Sequence, residues 1–291
     1  MSDGDGSDPA DGAPEGFSGD DYDGENPASH EAQRAVNRDN WDERALVHPD
    51  TDHYDVDGFL DGDSTLHSIE RERVDAEGTL LCHLMCHFGL DTLSWAREGA
   101  DPVGVDFSPE AIERARTLRD ETGLDAEFVE ADVYDAPATL DRRFEAVVAT
   151  YGVFCWLPDL RGFFETVATL LEPGGEALFV DDHPIGQAFD GNPPTWTYPY
   201  HDPVEMRIES GETYADDDVE LSKNVTYQYY RPLSAIVTAA ADAGLRVSSL
   251  EEFPFAEWPC FEGLEREGEW YVQESEPRVP LLFALEVEKP A

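Results

Sequence analysis

The stretch Leu81-Cys82-His83-Leu84-Met85-Cys86-His87-Phe88-Gly89 places two cysteines and two histidines within six residues. Thiolates and imidazoles are the ligands zinc prefers, but zinc needs four of them converging in a tetrahedron. The run from Thr79 to Leu84 reads as a buried strand, whose alternation sends Cys82 and His83 to opposite faces of a sheet. Only Cys86 and His87, on the turn that follows, are free to converge, and no second pair stands ready to join them. No metal site is expected. Cys82 reads as a small buried hydrophobe. His87 has two readings, as a side chain facing a bound ligand or as a cap on its own turn.

Other candidates lie downstream. Asp106 ends an apolar run, Asp101-Pro102-Val103-Gly104-Val105-Asp106, and Asp132 follows another in Glu130-Ala131-Asp132-Val133. Asp181-Asp182-His183 could hold a metal or supply a base, although in so acidic a chain a solvated loop is the plainer reading. Aromatic residues from Trp196 to Tyr230 suit either a pocket wall or a lid packed on a sheet.

The elements that must position these residues follow from periodicity. A helical pattern opens at Ser29, and a short second helix spans Ser64–Val74. Strand patterns at 79–84, 101–106, 126–130, 144–149 and 177–180 alternate with helices at 90–98, from Ser108 to a stop at Gly123, and at 160–171. Ser108 is a good N-cap with Pro109 at the first helical position. The pattern lapses between about 183 and 228. It resumes with a helix over 233–243, a strand over 245–253, an irregular segment and a last strand over 279–287. Such alternation predicts a parallel, doubly wound α/β sheet, in which ligands bind beyond the carboxyl ends of the strands. Three successive strand ends then offer a backbone cradle, a ribose acceptor (Asp106) and a base reader (Asp132), which favours an adenosine-containing cofactor.

The chain has 65 acidic and 19 basic residues and a formal net charge of -46, with lysine only at Lys223 and Lys289. Acids spread over the whole length suit a salt-filled cytoplasm, since at 1 M salt the Debye length falls to about 3 Å and self-repulsion is screened. Residues 1–28 are polar, carry no Lys or Arg, and are expected to form a disordered acidic tail. That segment lacks the basic and apolar regions of a secretory signal. No apolar run reaches membrane-spanning length, and four cysteines, two of them close together near a strand, do not make a disulfide framework. A cytoplasmic protein with no membrane partner is expected.

The motifs "GVDFSPEAIERAR", "FVEADVYD", "FEAVVATYGVFCWLPDL" and "LLEPGGEALFV", after the turn through Gly89, stand in the order and spacing of the class I S-adenosylmethionine-dependent methyltransferases. The chain resembles that family over about residues 75–291. The resemblance implies a mostly parallel, seven-stranded Rossmann-like sheet with an antiparallel final strand. It implies S-adenosylmethionine as cofactor, bound by Cys86, His87, Gly89, Asp106, Phe107, Asp132, Val133 and Thr150. Trp41, on a helical cap over 29–76 with Asn37 and Tyr54 nearby, would cover it. The segment 183–228 becomes a lid or substrate insertion in a domain over 77–291. Tyr151 and His183 are the catalytic candidates, with His87 as a further base. A small-molecule acceptor is expected and no nucleic acid, because no appended nucleic-acid-binding module is recognisable; the oligomeric state stays open.

One departure is marked. The family's first motif reads apolar-Asp/Glu-apolar-Gly-x-Gly-x-Gly, whereas here His83 holds the acidic position, Met85 and His87 replace two glycines, and only Gly89 remains. Ordinary negative φ at Met85 and His87 is the expectation, with the backbone still presented to a ligand. Asn192-Pro193-Pro194-Thr195-Trp196 is similar to an amine-gripping motif of some methyltransferases, but that motif follows the fourth strand, where Thr150-Tyr151-Gly152-Val153 stands instead. A proline-rich loop fits better. Two other functions stay open. One is a cofactor-binding protein without catalysis. The other is a nicotinamide-dependent oxidoreductase, which Asp106 would suit but the missing G-x-G-x-x-G and the Pro-Gly-Gly turn oppose.

Overall fold

The computed structural model describes residues 29–190, 195–216, 218–261, 263–273 and 278–291. The expected acidic tail and Asn192-Pro193-Pro194 lie outside them. Five strands, β1 (Leu80–Leu84), β2 (Asp101–Asp106), β3 (Glu127–Glu130), β4 (Phe144–Thr150) and β5 (Leu171–Asp182), follow the predicted order. Helices α4 (Leu90–Arg97), α5 (Pro109–Thr122), α6 (Ala136–Leu140) and α7 (Leu160–Leu170) connect them, after a cap of α1 (His30–Val47), α2 (Val56–Asp61) and α3 (Ser68–Arg73). Hairpin strands β6 (Phe189–Asp190), β7 (Thr195–Trp196), β8 (Val204–Glu209) and β9 (Val225–Tyr230) fill the insertion. Then come α8 (Leu233–Asp242), β10 (Arg246–Phe253), β11 (Phe255–Ala256), β12 (Leu264–Glu267), β13 (Trp270–Gln273) and β14 (Leu282–Glu288).

The main sheet has seven strands in the order β10-β14-β5-β4-β1-β2-β3. Pairings among β1 to β5 are parallel, and β14 runs antiparallel between β5 and β10. This is the expected mostly parallel, Rossmann-like sheet with an antiparallel last strand. Alternation divides the core as predicted: Cys82 and Leu84 pack with Phe163, Val167 and Ile236 on the face of α7 and α8. Leu81 packs on the other face with Trp95 and Ile69.

Two expectations change. The segment after β10 is not irregular, because β11, β13 and β12 form a small antiparallel sheet of their own. The fifth strand is also longer than 177–180. Pro173-Gly174-Gly175 lies inside β5 as an irregularity in its pairing with β4, held by Gly174 N–H to Lys289 O and Lys289 Nζ to Leu171 O, each 2.8 Å.

The cap is fastened to the insertion by a side chain that acts as a strand neighbour. Buried Asn37 of α1 donates to Tyr227 O (2.9 Å) and accepts from Tyr227 N–H (2.7 Å), so it completes both backbone groups of a β9 residue. Tyr229 OH adds a bond to Gln33 Oε1 at 2.6 Å.

Phe179 of β5 is fully buried among the rings of Phe154, Phe163 and Phe164, with centroids 5.4–5.8 Å away. Phe179→Ala is expected to cost about 3–5 kcal/mol, read as a lower denaturant midpoint at molar salt.

Candidate functional site

The turn after β1 keeps the conformation that glycines would give it without having them. Met85, His87 and Gly89 have φ of 59°, 50° and 84°, so the expectation of ordinary negative φ at Met85 and His87 is overturned. Left-handed backbone costs a residue with a Cβ roughly 1–2 kcal/mol, so the surroundings must impose it. They do so through backbone bonds: Cys86 N–H to Val105 O (3.0 Å) and Gly89 N–H to Cys86 O (3.0 Å). His87 N–H donates to Asp106 Oδ2 at 2.8 Å. Gly104 on β2 leaves room for Cys86, since a Cβ there would come within 2.8 Å of the sulfur.

Asp106 is 8% exposed and accepts one backbone N–H on each oxygen, from His87 and from Ser108 (2.9 Å). Each oxygen keeps a lone pair for a ligand hydroxyl. Burial, with nearby Asp42 adding, lifts its pKa to about 6 against the pull of the backbone donors. Asp132 accepts from Tyr134 N–H (3.1 Å) and pairs with Arg34 Nε of α1 at 2.7 Å. Arg34 in turn lies 5.0 Å from the centre of the Tyr134 ring. Phe107, Val133 and Thr150 line the same cavity, and so does Trp41, which meets the His87 and Trp156 rings edge-on at 5.1 and 5.4 Å.

The His87 ring turns to the cap while still walling the cavity. Its Nε2 lies 3.1 Å from His48 Nδ1, and His48 Nε2 lies 2.7 Å from Thr213 Oγ1, which also accepts from Arg44. Burial drives both imidazoles far below the usual histidine range, His87 to about 3, so the chain of bonds is neutral at physiological pH.

Across the cavity, Tyr151 OH donates to Glu70 Oε2 at 2.9 Å. Burial lifts Glu70 to about 8 and Tyr151 well above the usual phenol range. His183 is also engaged: Nδ1 accepts from Ile185 N–H (3.1 Å), and Nε2 lies 2.8 Å from Glu252 Oε1, off the line of a hydrogen bond. Asp181 and His183 are 3% and 4% exposed, so the solvated-loop reading of Asp181-Asp182-His183 fails. Asp181 instead gathers the N–H groups of Gly152, Val153, Phe154 and Asp182, which fixes the turn after β4. Among the described residues no group of three or more possible metal ligands converges.

Cofactor-side and catalytic candidates therefore line one cavity of about 1420 Å³. Several residues in or behind its wall escaped the sequence reading. Arg34 reaches it from the cap, Glu70 stands behind it on Tyr151, and no local pattern marks either. Asp91, the second residue of α4, accepts from Thr65 Oγ1 at 2.5 Å and lies 3.5 Å from Thr150 Oγ1. Its signal was available, as a lone acid directly after the turn.

Residues 82–175 match the family model of a methyltransferase domain. A ubiquinone biosynthesis O-methyltransferase of Proteus mirabilis is 28% identical over 156 residues, which is 47% of this chain and 63% of that protein. The chain thus spans less than two thirds of that relative's length. An S-adenosylmethionine-dependent methyltransferase from Mesorhizobium loti superposes with a TM-score of 0.53 at 21% identity, over 79% of this chain and 99% of its own. One described as a putative S-adenosylmethionine-dependent methyltransferase, from Listeria monocytogenes, gives 0.54 at 17%, over 77% and 97%. The fold of the chain is that of these proteins.

Gly89 and Met85 share a left-handed backbone but differ in surroundings. A Cβ on Gly89 would lie 2.5 Å from the Phe128 ring and 2.9 Å from Ala115 Cβ. Gly89→Ala is expected to destabilise by about 2–4 kcal/mol, whereas Met85→Gly stays within about 1 kcal/mol of wild type in chemical denaturation. Glu70 gives a pH signature. Its pKa rises from 4.5 to about 8 on folding, so its stabilising contribution is complete below pH 4.5 and is lost as pH climbs through 8. Glu70→Gln should remove that part of the decline in melting temperature between pH 5 and 9.

Proposed function

We propose that this chain, whose residues 82–175 carry a methyltransferase domain, is a class I S-adenosylmethionine-dependent methyltransferase acting on a small-molecule acceptor. The observation that carries the reading is the first turn. Left-handed backbone at positions 85, 87 and 89, anchored to Asp106, keeps the cradle that the altered motif put in doubt. When bound, the cofactor supplies a sulfonium whose methyl is already activated, so the protein's tasks are alignment and exclusion of water.

In this reading Asp106 accepts the ribose hydroxyls with its remaining lone pairs, and Asp132 with Val133 takes the adenine edge. Cys86, His87 and Gly89 form the cradle, Phe107 and Thr150 complete the walls, and Trp41 closes over them from the cap. The α1–α3 cap over 29–76 and the hairpins over 183–228 cover the site from two sides. Tyr151 and His183 face the acceptor, each held by a partner that fixes its orientation. An acceptor whose proton is lost late needs no base. The name of the Proteus mirabilis relative favours oxygen as the methylated atom. The dispersed acidic surface fits work in a concentrated-salt cytoplasm.

A cofactor-binding protein without catalysis would fill the space beyond the cofactor with side chains. The cavity of about 1420 Å³ exceeds the roughly 300–1,000 Å³ of ordinary ligand pockets and favours a second ligand. The antiparallel β14 inside the sheet weighs against a dinucleotide-binding dehydrogenase fold.

Calorimetry at molar salt with S-adenosylmethionine and with NAD tests the proposal. S-adenosylmethionine is expected to bind, NAD not, and Asp106→Ala to weaken binding by at least about tenfold, the scale of a lost charged hydrogen bond. Binding of NAD alone, or of neither ligand, overturns the reading.

A further inference from the structure

In the sheet, the ends of β3, β2, β1 and β4 lie side by side. A ligand with its base against Asp132 beyond β3 and its ribose against Asp106 on β2 must extend its other end over β1 and β4. His83, Asp91, Thr65 and Thr150 line the cavity there. The first motif's acidic position is occupied by His83, so the strand itself brings no negative charge to this end of the cleft.

A carboxylate without a cation stands at that point, beside a buried histidine. His83 is 2% exposed; its Nδ1 lies 2.8 Å from Thr92 Oγ1, and its buried Nε2 has no hydrogen-bond partner. The Nε2 atom lies behind the cavity surface, out of a ligand's direct reach. Burial keeps the ring uncharged even against the pull of Asp91. Asp91 supplies the charge. Thr65 Oγ1 fixes its Oδ1, its Oδ2 faces Thr150, and none of the ion pairs among the described residues involves it. A carboxylate that lacks a cation, held toward the cavity beside an uncharged imidazole, forms a receptor for an ammonium group.

The geometry points to Asp91 as the residue that binds the α-ammonium of the cofactor's amino-acid end, so that the acid absent from β1 is replaced by one on the first turn of α4. Thr65 is a positioning residue that holds the carboxylate toward the cavity. The inference rests on the cofactor reading above and adds which of this chain's residues recognise the zwitterionic end.

Three probes separate the two claims: S-adenosylhomocysteine, its deaminated analogue, and 5′-methylthioadenosine, which has no amino-acid end. In calorimetry at molar salt the wild type should bind S-adenosylhomocysteine about ten- to a hundred-fold more tightly than the deaminated analogue. Asp91→Asn should erase most of that ratio and leave 5′-methylthioadenosine within about twofold of wild type. The wild-type comparison needs no variant, so it tests the ammonium site even if a substitution unfolds the chain. Equal wild-type affinity for the amino and deaminated ligands overturns the ammonium site while the cofactor reading stands. Equal loss of all three probes in Asp91→Asn also overturns it, because the acid would then only shape the turn. Failure of the wild type to bind any of them overturns the cofactor reading itself.

Discussion

The Asp106 carboxylate is the point on which the cleft depends. One oxygen takes the His87 N–H of the turn after β1, and the other takes the Ser108 N–H that begins α5. A single buried acid thus couples two strand ends and holds His87 in a left-handed conformation its side chain opposes. The arrangement costs energy twice, as strain in the turn and as desolvation of a carboxylate lifted to about 6. A ligand hydroxyl that donates to the same carboxylate would offset part of the second cost. The cleft is in this sense strained in the direction that binding relieves.

The chain's acids fall into two physically different groups. Those on the surface are hydrated, and at molar salt screening would remove most of their mutual repulsion. Those around the cavity have work of another kind. Asp181 organises four backbone amides, Glu70 accepts from Tyr151 and from the His67 N–H, and Asp106 ties the turn. Burial raises each of these three. Net charge therefore says little about the site, because the decisive carboxylates are those that water does not reach.

The doubly wound sheet was legible because its signals are local. Period-two apolar runs, the Ser108 N-cap with Pro109, and stops at Gly123 each constrain one element, and the structure places them within a few residues of expectation. The strand ends followed, so Asp106 and Asp132 could be assigned to the cleft from order alone. What stayed hidden depends on long-range packing. Nothing near Arg34 announces a partner at Asp132, and nothing near Glu70 announces Tyr151. The positive φ at Met85 and His87 was hidden for a different reason. Side-chain identity argued against it, and tertiary bonds to β2 overrode that preference.

The docking of α1 has a consequence for how fast the cleft can exchange its contents. Besides the Trp41 ring, the helix reaches the cavity through three polar contacts, Arg34 to Asp132, Asn37 to Tyr227, and His48 to His87 just beyond its last turn. Only the first is an ion pair that dissolved salt can weaken; the other two join neutral groups. Ligand residence time should then be set by a rare opening of the helix, to which salt contributes through the charged contacts alone. The amide and imidazole contacts hold equally well in dilute and concentrated brine, while the Arg34–Asp132 pair loosens as salt rises.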